Sequence, residues 1–105
     1  MARNSKLATV EREIKIVNKY GLHARPAMQL VELANKFNSK IELSNGSLTV
    51  DAKSIMSVMR LAATKGTTLK IVADGEDSDQ ALEAMVKLVN EGFGEMEQPD
   101  AGGTN

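Results

Sequence analysis

His23 is the only histidine in the 105-residue chain, and the chain has no cysteine. That removes multi-histidine and thiolate metal sites, disulfides and a cysteine nucleophile, and no metal or cofactor is expected. What a single imidazole can still do is take up a group on a ring nitrogen and release it. Its setting is Gly21-Leu22-His23-Ala24-Arg25-Pro26-Ala27, where a glycine loop runs into a helical pattern. The first turn of a helix has unpaired N–H groups and a partial positive charge, which together favour an anion such as phosphate. The same positive end disfavours imidazolium, so the ring is expected to keep a lone pair near neutral pH, as attack on phosphorus requires. The amides of Ala24 and Arg25 are the expected phosphate donors, and the Arg25 guanidinium shares the charge. Pro26 lacks an N–H that the first turn would leave unpaired anyway. Whether it is the first or third helical residue stays open, because proline disfavours the helical region for the residue before it. A lone histidine at a helix start also fits a surface residue without chemistry.

A second candidate is Ser54, which can cap the free amides of a short helix over Ile55 to Ala62, with Gly66 ending that segment. Ile55, Val58 and Leu61 read as its core face. Met56 and Met59 exceed what one buried face needs and are expected to be exposed, where methionine suits docking to several partners.

The elements that must position these residues follow from periodicity. Val10, Arg12, Ile14 and Ile16 alternate with Glu13 and Lys15, predicting a half-buried strand over 10–17, followed by a loop over 18–22. From Ala24 the spacing turns helical, through Ala27, Leu30, Val31, Ala34 and Phe37. Residues 40–44 and 47–51 alternate around Asn45-Gly46, the pair suited to a type I′ hairpin turn. Residues 67–74 predict another strand. After Gly75 the acidic run Asp77-Ser78-Asp79 opens a helix through Leu82, Met85, Val86 and Val89. Past Gly92 the periodicity lapses, and residues 93–105 are expected to be a disordered tail, as residues 1–9 are expected to be a flexible extension. The order strand, helix, strand, strand, helix, strand, helix over 10–92 predicts an α+β domain, an antiparallel sheet covered on one face by helices.

Thirteen basic residues against fourteen acidic ones, a net charge of −1 and few aromatics disfavour nucleic acid as a partner. No apolar run reaches membrane-spanning length, and the first residues lack a signal-peptide core, so a cytoplasmic protein is expected.

The stretch Gly21 to Ala27 resembles the active-site signature of HPr, the histidine-containing phosphocarrier family of the phosphoenolpyruvate-dependent phosphotransferase system. The similarity runs on through the Asn45-Gly46 hairpin, Ala52-Lys53-Ser54-Ile55-Met56-Ser57-Val58-Met59, Lys65-Gly66 and Gly75, covering roughly residues 10 to 92. It implies an open-faced β-sandwich of βαββαβα order, four strands under three helices. It also implies a covalent carrier rather than an enzyme, with His23 phosphorylated on Nδ1 by enzyme I and discharged to a sugar-type or nitrogen-type enzyme IIA. Arg25 matches the family's phosphate-neutralising arginine. Ser54 matches the serine that an HPr kinase/phosphorylase modifies in many members. Met28, Ile55, Met56 and Met59 become the expected docking patch of a monomer. Asn18-Lys19 before the glycine loop is closer to the nitrogen-type branch. A regulator that no longer relays phosphate and docks through Met56 and Met59 is the alternative.

Overall fold

A computed structural model of the chain describes residues 9–95, so residues 1–8 of the expected extension and 96–105 of the expected tail lie outside the described residues. The elements in order are β1 (Thr9–Lys15), α1 (Ala24–Ala34), β2 (Lys40–Ser44), β3 (Thr49–Asp51), α2 (Ile55–Arg60), β4 (Thr68–Asp74) and α3 (Ser78–Asn90), followed by a 3₁₀ turn at Gly92–Gly94. The α+β order of strands and helices is the one the periodicities predict. The four strands form one sheet in the order β1-β4-β2-β3, every neighbouring pair antiparallel.

Alternation puts one row of side chains on the covered face. Ile14 lies opposite Leu69, Ile71 opposite Leu43, and Leu43 opposite Val50, all buried. A large aliphatic side chain buried in this way contributes roughly 1.5–3 kcal/mol relative to exposure. Arg12 shares this row, opposite Ile71, but β1 is an edge strand. Its guanidinium reaches Glu83 of α3 at 3.1 Å instead of entering the core. Helix α1 buries Ala27, Leu30 and Ala34, and α3 buries Ala81, Leu82, Met85, Val86 and Val89. Those spacings are the apolar stripes the sequence carries.

Three local expectations are corrected. The hairpin turn is not type I′, because Asn45 has no positive φ and only Gly46 (φ +97°) does. The Asn45 side chain takes over part of the turn, its Oδ1 accepting from the amides of Ser47 and Leu48, both at 2.9 Å. Helix α2 stops at Arg60 rather than Ala62. It is ended by Ala62, whose φ of +47° is left-handed, and not by Gly66. The folded chain also runs past Gly92, since Phe93 is buried in the core.

Two contacts outside the helices fix loops, the first of them the loop that leads to His23. Gly21 has φ +67°, and a Cβ there would lie 2.4 Å from the Ala63 carbonyl oxygen and 2.8 Å from Thr64 Cα, backbone atoms that cannot swing aside. At the other end of the molecule Asp77 ties the α1–β2 loop to the start of α3. Its carboxylate accepts from Asn38 N at 2.8 Å, Ser39 N at 2.9 Å and Ser39 Oγ at 2.5 Å. The Ser39 hydroxyl, followed by these amides, holds the Asp77 carboxyl below its ordinary value.

Gly21→Ala should cost clearly more stability than Gly46→Ala. Gly46 is also left-handed but meets nothing within 4 Å, so only the ~1 kcal/mol left-handed penalty applies there. Equal costs in chemical denaturation would show that the Gly21 contact is not tight. For Asp77, a pKa lowered in the fold means stabilisation that is present above the unfolded value of 3.8 and lost as pH falls through the folded value. The Tm advantage over Asp77→Asn should therefore shrink between about pH 6 and about pH 3; an advantage independent of pH would contradict it.

Candidate functional site

The route from β1 to α1 is short and tightly bonded. The Ile16 amide donates to Thr67 O at 2.9 Å, the Gly66 amide to Ile16 O at 2.7 Å, and the Leu22 amide to Ala63 O at 2.8 Å. The loop after α2 thus pairs with the loop before α1, and the left-handed Ala62 turns the chain so that the Ala63 carbonyl meets Leu22. Leu22 is buried beside it. With Leu22 anchored inward, the next residue starts the helix at the surface.

That residue is His23, the N-cap of α1, with extended backbone (φ −78°, ψ −171°). Its carbonyl accepts the first helical bond, from Ala27 N at 3.0 Å. Ala24, Arg25 and Pro26 are therefore the first, second and third helical residues, which settles the position of the proline: its ring stands where no intrahelical donor is needed. Serine, threonine, aspartate and asparagine usually cap such an end with their side chains. The His23 ring makes no cap hydrogen bond, so the amides of Ala24 and Arg25 stay unpaired within the helix. Ala24 and Arg25 are exposed, and no ion pair among the described residues engages the Arg25 guanidinium. An exposed imidazole, two open amides and the exposed Arg25 side chain thus share one helix end.

Two neighbours of the ring were not legible in the sequence. Tyr20, 68% exposed, sets its ring edge-on to the imidazole at 6.2 Å between centroids and 85° between planes. Glu95 approaches from the far end of the chain, with Oε2 at 3.1 Å and Oε1 at 3.4 Å from His23 Nε2. The expectation of a disordered tail from residue 93 onward is corrected here for residues 93–95. Phe93 is 3% exposed, and Gln29 of α1 bonds its carbonyl at 3.4 Å. Phe93 holds φ +57°, a conformation costing a non-glycine residue roughly 1 kcal/mol, which burial of its ring can offset. Only the apolar Phe93 after Gly92 could have hinted at this turn.

The other candidates lie on α1 and α2 or at their starts. Ser54 is the N-cap of α2, its Oγ accepting from Ser57 N at 3.3 Å, the cap the sequence suggests. Val58 and Leu61 are buried, Ile55 packs partly against the core, and Met28, Met56 and Met59 are exposed, Met56 at 75%. Ile55 therefore presents less surface than the methionines. Helices α1 and α2 pack against each other, so Met28 belongs to the same pair of helices as Met56 and Met59. Among the described residues no cluster of three or more His, Asp or Glu side chains could hold a metal ion, and no helix is long and apolar enough to cross a membrane.

This geometry can be set beside known proteins. A family model described as the PTS HPr component phosphorylation site matches residues 10–91. A phosphocarrier protein HPr of Pseudomonas aeruginosa is 48% identical over 86 residues, 81% of this chain and 96% of its own length. One from Cupriavidus necator is 44% identical over 88 residues, 84% of this chain and 99% of its own. The crystal structure of an HPr from Thermoanaerobacter tengcongensis superposes with a TM-score of 0.79 at 44% identity, covering 81% of this chain and 96% of that one. Both the sequence match, which runs through the His23 loop and on to the end of α3, and the open-faced sheet under three helices lead to one assignment: this chain belongs to the HPr family of phosphocarriers of the phosphotransferase system.

Proposed function

We propose that His23 is the phosphoryl-bearing residue, loaded on Nδ1 by enzyme I and discharged to an enzyme IIA, for sugar uptake or regulation in the cytoplasm. The observation that carries this reading is the free cap: His23 occupies the N-cap of α1 without spending its ring on capping, which leaves the first-turn amides available to an anion carried on the ring. Phosphoryl transfer needs in-line positioning and charge stabilisation more than covalent chemistry from the protein. A carrier can supply the imidazole, the amides of Ala24 and Arg25 and the Arg25 guanidinium, while its partners supply the rest. In this reading the chain has no turnover of its own and needs no cofactor.

The exposed methionines support docking. Met28, Met56 and Met59 offer flexible apolar surface on the packed pair α1 and α2, suited to more than one partner. Ser54 fits regulation by a kinase of the HPr kinase/phosphorylase type. A phosphate at the start of α2 would meet the helix dipole, a gain of about 1 kcal/mol. It would also stand next to Met56, where burial against a partner carries a larger desolvation cost. The competing reading, a regulator that docks through Met56 and Met59 without relaying phosphate, needs the same surface but no phosphohistidine.

Incubation with phosphoenolpyruvate and enzyme I should add one acid-labile, alkali-stable phosphoryl group, absent in His23→Ala; labelling that persists in His23→Ala would refute the assignment. Arg25→Glu should slow loading at least tenfold, of the order of one lost charge-assisted contact, with Tm nearly unchanged, whereas a wild-type rate would remove Arg25 from the site. Ser54→Asp should keep or slightly raise Tm and slow loading by enzyme I; lower Tm with an intact rate would leave Ser54 as a structural cap alone.

A further inference from the structure

The side chain at the end of the chain's fold is held, and the holder is a buried amide. Asn18 is fully buried. Its Nδ2 donates to Gly21 O at 2.8 Å and to Glu95 Oε1 at 3.0 Å. Both partners are acceptors, so the amide nitrogen must face them and the orientation of the side chain is fixed. Its Oδ1 is left buried with no partner among the described residues. A buried amide serving stability alone would be expected to pair both ends; this one leaves one end unpaired while bridging the histidine loop to Glu95. The other Glu95 oxygen, Oε2, sits 3.1 Å from His23 Nε2, and a carboxylate can only accept, so Nε2 carries the hydrogen.

We infer that Asn18 and Glu95 form a brace that selects the ring nitrogen: Glu95 pins the Nε2–H tautomer, Asn18 holds Glu95 in place, and Nδ1 is left with the lone pair. The inference rests on the reading of His23 as the phosphoryl-bearing residue. In the step itself the Nδ1 lone pair attacks the phosphorus of a protein phosphohistidine. The new N–P bond forms as the old one breaks, and the electron pair of the old bond stays with the donor ring. No proton moves. The His23 ring becomes cationic, and the charge spread towards Nε2–H falls against the Glu95 carboxylate, as an orienting carboxylate stabilises an imidazolium elsewhere. Glu95 and Asn18 are thus positioning residues, acting through the ring and not on phosphorus.

The test uses the full chain and the variants Glu95→Gln, Asn18→Ala and both together. Nitrogen-resolved NMR of the His23 ring, recorded with no phosphoryl donor, should show the Nε2–H tautomer in the wild type and a growing Nδ1–H fraction in each variant. A merely structural role would not move that ratio. Loading by enzyme I should slow about tenfold in each single variant, as loss of an orienting partner does, and the double variant should be no slower than the slower single one. Glu95→Gln replaces a side chain at the end of the fold, so it remains decisive if Asn18→Ala fails to fold. Wild-type ring spectra and a wild-type loading rate in Glu95→Gln overturn the inference, as do effects that add in the double variant. A wild type that takes no phosphoryl group would sink the reading of His23 and the rate claim together. The ring spectra would still decide whether the brace sets the tautomer.

Discussion

Gly21 packs so closely on Ala63 and Thr64 that a side chain at its position would overlap backbone atoms, and this contact sets the direction in which the chain leaves β1 and enters α1. Leu22 then turns inward and bonds the Ala63 carbonyl, and His23 has nowhere to stand but at the helix start. The axis of α1 is fixed independently by the burial of Ala27, Leu30 and Ala34. Once both constraints hold, the imidazole, the open amides of Ala24 and Arg25 and the guanidinium of Arg25 are brought together by backbone geometry alone. Few side-chain contacts cover the helix start, and His23, Ala24 and Arg25 remain exposed.

The helix starts differ in how they are capped, and neither α1 nor α3 has a side-chain cap hydrogen bond. At α2 the cap is a serine whose hydroxyl satisfies a first-turn amide, and such a cap is worth about 1 kcal/mol over a non-capping residue. At α1 the cap is a histidine that satisfies none. Stability forgone at one helix end leaves donors available for an anion, the kind of local inconsistency expected where function competes with folding. Asn18, whose Oδ1 has no partner among the described residues, and Phe93, with its left-handed backbone, are two further local costs.

Much of this arrangement was legible in the sequence, for physical reasons that can be named. Period-two alternation in Ile41–Leu43 and Leu69–Ala73, and helical spacing from Ala27 to Ala34, each follow from burial of one face, so strands and helices were recoverable. Gly21 to Ala27 marked the helix start, and the family resemblance supplied the topology. The misses are of two kinds. Side chains that bond their own backbone, as Asn45 does in the hairpin turn, change a turn's geometry without changing its sequence signature. Contacts across the whole chain leave no local pattern. Glu95 lies 72 residues from His23, in a stretch rich in glycine, and nothing near it in sequence points back to the ring.

A phosphoryl group carried on His23, as proposed, would be held by the start of α1. Amide-resolved NMR of the protein before and after phosphorylation reads this directly. The largest downfield amide-proton changes should fall on Ala24 and Arg25, the donors left unpaired by the free cap, with the amides of β2 and β3 unmoved. Equal or larger changes elsewhere, with Ala24 and Arg25 unaffected, would mean that the helix end does not hold the phosphate and would contradict the account.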